Sequence, residues 1–175
     1  MTIIATPGST TANSYLTDAD FLAYGEGSLA SSRLASSTPA TRERALRTAT
    51  RMIDRLSFGG EATEYEQALS WPRELLPDPD RPSYFIPAAV IPRRVREACA
   101  ELALALLAEG ESSPDGGVTD ADRYVRAKVD VLEVEYRQGV ATATDPVGVL
   151  RRYPAVLALL APFIVGGGAM EVARA

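Results

Sequence analysis

The sequence predicts a mainly α protein: a compact helical domain with a small β-hairpin and extended terminal arms. Three observations carry that expectation. Apolar residues recur at helical spacing through Leu46, Ala49, Ile53 and Leu56, and again through Val95, Ala98, Cys99, Leu102, Leu106 and Leu107. Leu132, Val134 and Tyr136 alternate with Glu133 and Glu135, the period of a strand. Repeated prolines between 61 and 91 break the chain between the two strong helices. The 175 residues suit one domain with a modest core. Its expected parts are an arm over 1–14, a helical domain over 15–163 with a hairpin at 126–143, and a flexible tail over 164–175.

In chain order, the Ser-, Thr- and Ala-rich opening with Pro7-Gly8 reads as an extended arm. In "TDADFLAYG", Thr17 caps a short helix, Asp18 and Asp20 favour its positive end, and Gly25 stops it. "GSLASSRLASST" reads as a loop with room for one helical turn. Thr38 caps the next helix, Pro39 suits its first turn, and "FGG" at Phe58–Gly60 ends it. Arg44, Arg47, Arg51 and Arg55 form a second stripe beside its apolar one. Trp71, Tyr84, Phe85 and Ile86 give the proline-rich segment enough apolar surface to be packed down. Pro92 and Gly110 bracket the strongest helix, expected to be central and most buried. "KVDVLEVEY" reads as a strand, with "GVATATDP" as its return around "RQG". A last helix starts near Tyr153-Pro154. Helices are thus expected near 17–24, 39–57, 92–109 and 153–163.

Catalytic constellations are thin. The chain has no histidine, so Ser–His and Cys–His pairs are excluded along with the commonest metal ligand. Its single cysteine, Cys99, falls on an apolar helix face and reads as core. No phosphate-loop or nucleophile-elbow motif is present, and "GGG" at 166–168 follows an apolar helix rather than a strand. The pairs Asp18/Asp20, Asp78/Asp80, Asp120/Asp122 and Glu133/Glu135 lack calcium-loop spacing and read as surface or capping groups. The expectation is no enzyme, no catalytic residue, no metal and no cofactor. The net charge of −5 disfavours general nucleic-acid binding but leaves room for a local basic stripe. Arginine binds phosphate bidentately, so Arg44, Arg47, Arg51 and Arg55 are the candidates. Glu43 and Asp54 dilute that charge, and no aromatic is interleaved for stacking; a solvated or protein-contacting face is the competing reading. The opening lacks the basic start and apolar core of a signal peptide, and the apolar runs are short for a bilayer, so a soluble intracellular protein without membrane contact is expected.

The order of features carries more than any one of them. "ANSYLTDADFLAYG", "ATRMIDRL", "EQALSWPR", "IPRRVREACAELALALL", "KVDVLEVEY" and "YPAVLALLAPF" follow one another from about Ala12 to Phe163. This series resembles the head–tail connector (adaptor, or head-completion) proteins of tailed bacteriophages, some of which carry the label DnaT-like single-stranded-DNA-binding protein. The resemblance implies a virion structural protein of the head–tail neck, made in the host bacterial cytoplasm. It would form an oligomeric ring, a dodecamer, beneath the portal. Its partners would be the portal protein, neighbouring copies of itself and the next neck or tail-completion protein. DNA would pass through the lumen without sequence-specific binding. An unpaired strand edge suits such assembly, so Val129, Val131, Glu133, Glu135 and Arg137 in the hairpin are subunit- or portal-interface candidates, with Tyr153, Phe163 and Met170 from the C-terminal segment expected to order on assembly. The alternative is a single-stranded-DNA-binding replication or packaging accessory using the arginine helix.

Overall fold

The structure, a computed structural model, describes residues 2–109 and 146–165, together with the backbone of 125–129 and 132–136. It is mainly α with small two-stranded sheets, as the periodicities predict. The order is α1 (Asp18–Glu26), α2 (Ser31–Ser36), α3 (Pro39–Asp54), β1 (Glu61–Ala62), β2 (Arg73–Glu74), β3 (Pro77–Asp78), β4 (Arg81–Phe85), α4 (Arg93–Glu109), β5 (Val125–Val129), β6 (Leu132–Tyr136), α5 (Pro146–Leu150) and α6 (Pro154–Leu160), with a 3-10 turn at Ala161–Phe163.

α4 is the centre of the packing. It lies against α3 and α6 and touches α1 and α2. Val95, Ala98, Cys99, Leu102 and Leu106 are buried as expected, while Leu107 is half-buried. Ala100, Ala103 and Leu104 widen the buried band, because neighbours cover more than one face. α3 buries Leu46, Ala49 and Ile53, and Leu56 follows just past its end.

The caps act as read. Thr17 Oγ1 accepts from Asp20 N at 3.1 Å and Asp20 reaches back, closing a capping box. Thr38 Oγ1 accepts from Thr41 N at 3.2 Å. Gly25 does not stop α1, which runs on to Glu26. It is buried inside the helix, where an added Cβ would lie 2.2 Å from Leu34 Cδ2. Close approach of α2, rather than chain termination, therefore explains this glycine.

The stretch 2–14, read as an extended arm, forms no helix or strand. It turns at Pro7–Gly8, where Gly8 has φ +72°, and returns so that Asn13 N donates to Ile4 O at 2.9 Å. The hairpin lies at Val125–Val129 and Leu132–Tyr136, five paired positions from Val125↔Tyr136 to Val129↔Leu132. The segment read as one strand thus supplies all of β6 and the last two residues of β5, and β6 pairs with the chain before it. Apolar residues on both faces of "KVDVLEV" hide the reversal from a period-two reading. Of the segment 139–146, read as the return strand, 139–145 lie outside the described residues and Pro146 opens α5; the tail 166–175 lies outside them too. At the other end, Gly59 N donates to Phe163 O and Val165 N to Ser57 O, both at 2.9 Å, tying the chain after α6 to the loop after α3.

Three tyrosine hydroxyls donate to helix carboxylates across the core: Tyr15 to Asp54, Tyr24 to Glu101 at 2.6 Å, and Tyr153 to Glu109 at 2.9 Å. Burial, reinforced by the adjacent carboxylate, raises the pKa of each; Tyr153 is pushed up to about 12. Burial also pushes the Cys99 thiol up to about 11, from 9.0. Groups whose folded pKa is raised contribute stability fully below their unfolded pKa and lose it as pH rises toward the folded one. Stability is therefore expected to hold to about pH 9 and fall as pH rises toward about 12. Urea midpoints at stepped alkaline pH check this. A flat profile refutes it, and Tyr153→Phe should shrink the decline.

Candidate nucleic-acid interface

α3 sorts its residues by face. Ala45, Leu46, Ala49, Met52 and Ile53 turn into the core, which leaves Arg44, Arg47 and Arg51 on a face of their own. Their guanidinium stems span roughly 10 Å along the helix. Together with Ala12, Asn13, Thr48 and Leu69 they line an open groove of about 400 Å³. Arg47 Nε donates to Glu43 O at 3.3 Å, and Arg51 Nη2 to Thr48 Oγ1 at 3.3 Å. Neither contact joins an arginine to a carboxylate. Arg55, the fourth member of the sequence stripe, sits at the C-cap of α3 and does not line the groove.

The groove's other walls come from distant segments. Asn13 is held by its own side chain: Ile4 N donates to Oδ1 at 2.9 Å, and Nδ2 donates to Thr2 O at 3.1 Å. Leu69 is held by its neighbours, since Ala68 N donates to Ser9 O at 3.1 Å and Ser70 N to Asp54 Oδ1 at 2.7 Å. Asp54 thus accepts from both Ser70 N and the Tyr15 hydroxyl, fastening the two segments to the end of α3. Sequence reading took Asp54 as diluting the basic stripe. Its carboxylate is instead occupied in building the groove. No signal along the chain pairs Asp54 with Tyr15 and Ser70, because the contacts are tertiary.

A second, larger groove of about 730 Å³ lies between the β3–β4 finger and the start of α4. Arg94 Nη2 donates to Asp80 at 2.5 Å and holds that carboxyl below its usual range, while Arg93 Nε donates to Glu97 at 2.6 Å. The aromatic residues expected to pack this segment divide. Trp71 is buried with Ile86, but Tyr84 and Phe85 stand exposed on β4, as does Leu75 beside it. Their strand belongs to a two-stranded sheet with no layer over it, so nothing among the described residues buries them.

The other sequence candidates fall elsewhere. Tyr153 and Phe163, expected at an interface, are buried in their own chain, Tyr153 under α4 and Phe163 against Trp71. Val129 ends β5, and Glu133 and Glu135 lie in β6. Val131, Arg137 and Met170 lie outside the described residues, as do Asp120 and Asp122. Asp18 takes a bidentate pair from Arg42, Nε to Oδ1 and Nη2 to Oδ2, both at 2.7 Å. Asp20 serves the α1 cap. Cys99 is in the core, 3.4 Å from Thr50 Oγ1. Among the described residues no helix is long and apolar enough to cross a membrane.

A small helical domain carrying an arginine-lined groove is the class these features define. The family described as "Putative DnaT-like ssDNA binding protein" matches residues 1–175, and the chain belongs to that family. No curated protein and no solved structure matches it.

Proposed function

We propose that the chain binds single-stranded DNA along the α3 arginine face. The observation that carries this reading is the convergence of Arg44, Arg47 and Arg51 on one groove whose remaining walls are small, amide and apolar. Guanidinium groups there can take successive phosphates, and Ala12 and Leu69 offer a floor for base or sugar. Membership of the family supports it. Binding is by charge and contact, without catalysis or a cofactor. Fluorescence anisotropy with an oligothymidine tests it. If the three arginines engage phosphates, log affinity should fall with log salt with a slope of roughly −2. Arg47→Ala with Arg51→Ala should remove most of the binding and flatten the slope, with the fold unchanged by circular dichroism. Salt-insensitive binding, or binding indifferent to both substitutions, refutes the proposal.

A second reading is favoured by a separate observation, the exposed apolar residues Leu75, Tyr84, Phe85 and Val165 around the finger. Exposed apolar clusters mark protein contacts, and the sequence from Ala12 to Phe163 resembles phage head–tail connectors. In this reading the chain is a structural protein of the virion neck, ringed beneath a portal with copies of itself and a further neck protein. DNA then only passes through the lumen. Electron microscopy of the chain mixed with a portal ring decides it: a stacked ring establishes the connector, and no association removes it.

A further inference from the structure

We propose that two copies of this chain pair about a two-fold axis, the acidic turn 61–66 of each entering the groove between finger and α4 of the other. The turn offers the knob. Tyr65 is 102% exposed, which is unusual for an aromatic side chain, and Glu61, Glu64 and Glu66 around it are exposed too. The turn is also braced from beneath. Gln67 Oε1 accepts from Glu64 N at 3.0 Å, and Gln67 Nε2 donates to Leu69 O at 2.7 Å and Pro72 O at 3.1 Å. A preorganised aromatic loses little freedom on docking.

The groove offers the hole. Val90, Pro92 and Leu159 give it apolar surface, over a floor of Ile86, Ile91 and Phe163 that their own chain buries, and its volume of about 730 Å³ admits a tyrosine ring with room for the flanking backbone. Its charged lining is Arg81, Arg93, Arg94 and Arg96 with Asp78, Asp80 and Glu97; Arg94 pairs with Asp80 and Arg93 with Glu97, which leaves the exposed Arg81 and Arg96, beside Asp78, opposite in sign to the three glutamates of the turn. A pocket that takes one aromatic, with charge of opposite sign beside it, is a common anatomy of a specific contact.

Adjacency sets the symmetry. Thr63 Oγ1 donates to Ala88 O at 2.8 Å, so the turn is joined to the segment that runs along the groove. Knob and hole are therefore neighbours in the fold, and the proposal places them on one face of the molecule. Two such faces satisfy both contacts at once through a two-fold axis, giving a closed, isologous pair. This inference is independent of nucleic-acid binding by α3.

Sedimentation velocity on the full chain over a concentration series tests it. The wild type should show a monomer–dimer equilibrium below roughly 100 µM. Tyr65→Ala should weaken dimerisation about thirtyfold, as loss of a central aromatic anchor does. Glu64→Arg with Glu66→Arg should abolish it, and so should Arg81→Glu with Arg96→Glu. The two reversed proteins mixed together should recover a one-to-one dimer, since each turn then faces a groove of opposite sign. That recovery also shows that both variants are folded. A wild type that stays monomeric overturns the proposal, as does a mixture that stays monomeric. So does a dimer indifferent to Tyr65→Ala. Loss of oligonucleotide binding in Arg81→Glu/Arg96→Glu with unchanged mass would assign those arginines to nucleic acid and overturn it as well.

Discussion

Trp71→Ala is expected to destabilise the protein by about 3–5 kcal/mol, the cost of emptying a large aromatic site in a core that relaxes only partly. Trp71 is 1% exposed and stands edge-on to Phe58 at 5.4 Å and to Phe163 at 5.3 Å between ring centroids. Those two rings belong to the loop after α3 and the turn after α6, so one side chain joins three segments far apart in sequence. A domain's total stability is about 5–15 kcal/mol, and the variant should retain little of it. Its melting temperature should drop by roughly 10 °C or more. Trp71→Phe separates packing from polarity. Trp71 Nε1 is buried with no hydrogen-bond partner among the described residues, so its removal forfeits no bond. Phenylalanine should therefore recover more than half of the loss. Urea denaturation followed by circular dichroism measures both variants. An alanine variant within about 1 kcal/mol of wild type would show that the 58–71–163 cluster does not hold these segments together.

What could be read from the sequence, and what could not, follows the range of the interactions. α3 and α4 are legible because their apolar positions repeat every three to four residues, and Thr17 and Thr38 because a hydroxyl before a helix has one use. The short α2 and α5 carry too few turns to show a period and depend on tertiary support. Tyr84 and Phe85 resemble Trp71 and Ile86 in composition. Whether an aromatic faces inward depends on what lies over its strand, which the local sequence does not contain. The arginine stripe was readable as a stripe, because i, i+3 and i+7 share a face. Its conversion into a groove was not: Ala12, Asn13 and Leu69 arrive from two other segments, held there by Asp54. The loss of Arg55 from the site has the same origin, since the helix ends at Asp54 and the face ends with it.

The loop that carries both Leu69 and Tyr65 is closed at its root by Gly60 and Arg73, and this makes Gly60→Ala the second large effect. Gly60 has φ +68°, a conformation that costs a residue with a Cβ about 1 kcal/mol or more. An added Cβ would also lie 2.3 Å from the Glu74 carbonyl oxygen and 2.7 Å from Leu76 Cγ. The first obstacle is backbone of the strand paired with β1, through Glu61↔Glu74, so it cannot swing aside as a side chain would. Arg73 tightens the same point, donating through Nε to Gly59 O at 2.6 Å and through Nη2 to Gly60 O at 2.8 Å. Strain and overpacking together should cost about 2–4 kcal/mol. Gly8 supplies the internal comparison. Its φ is +72°, but the nearest atom to its added Cβ is Glu64 Cγ at 3.7 Å, an ordinary contact on a mobile side chain. Gly8→Ala should therefore cost only the conformational part, about 1 kcal/mol. Paired urea titrations read the difference. A Gly60→Ala penalty clearly above that of Gly8→Ala means that close approach of β2 closes the loop. Equal penalties would mean that the left-handed backbone accounts for both, and that the β1–β2 root yields enough to admit a methyl group.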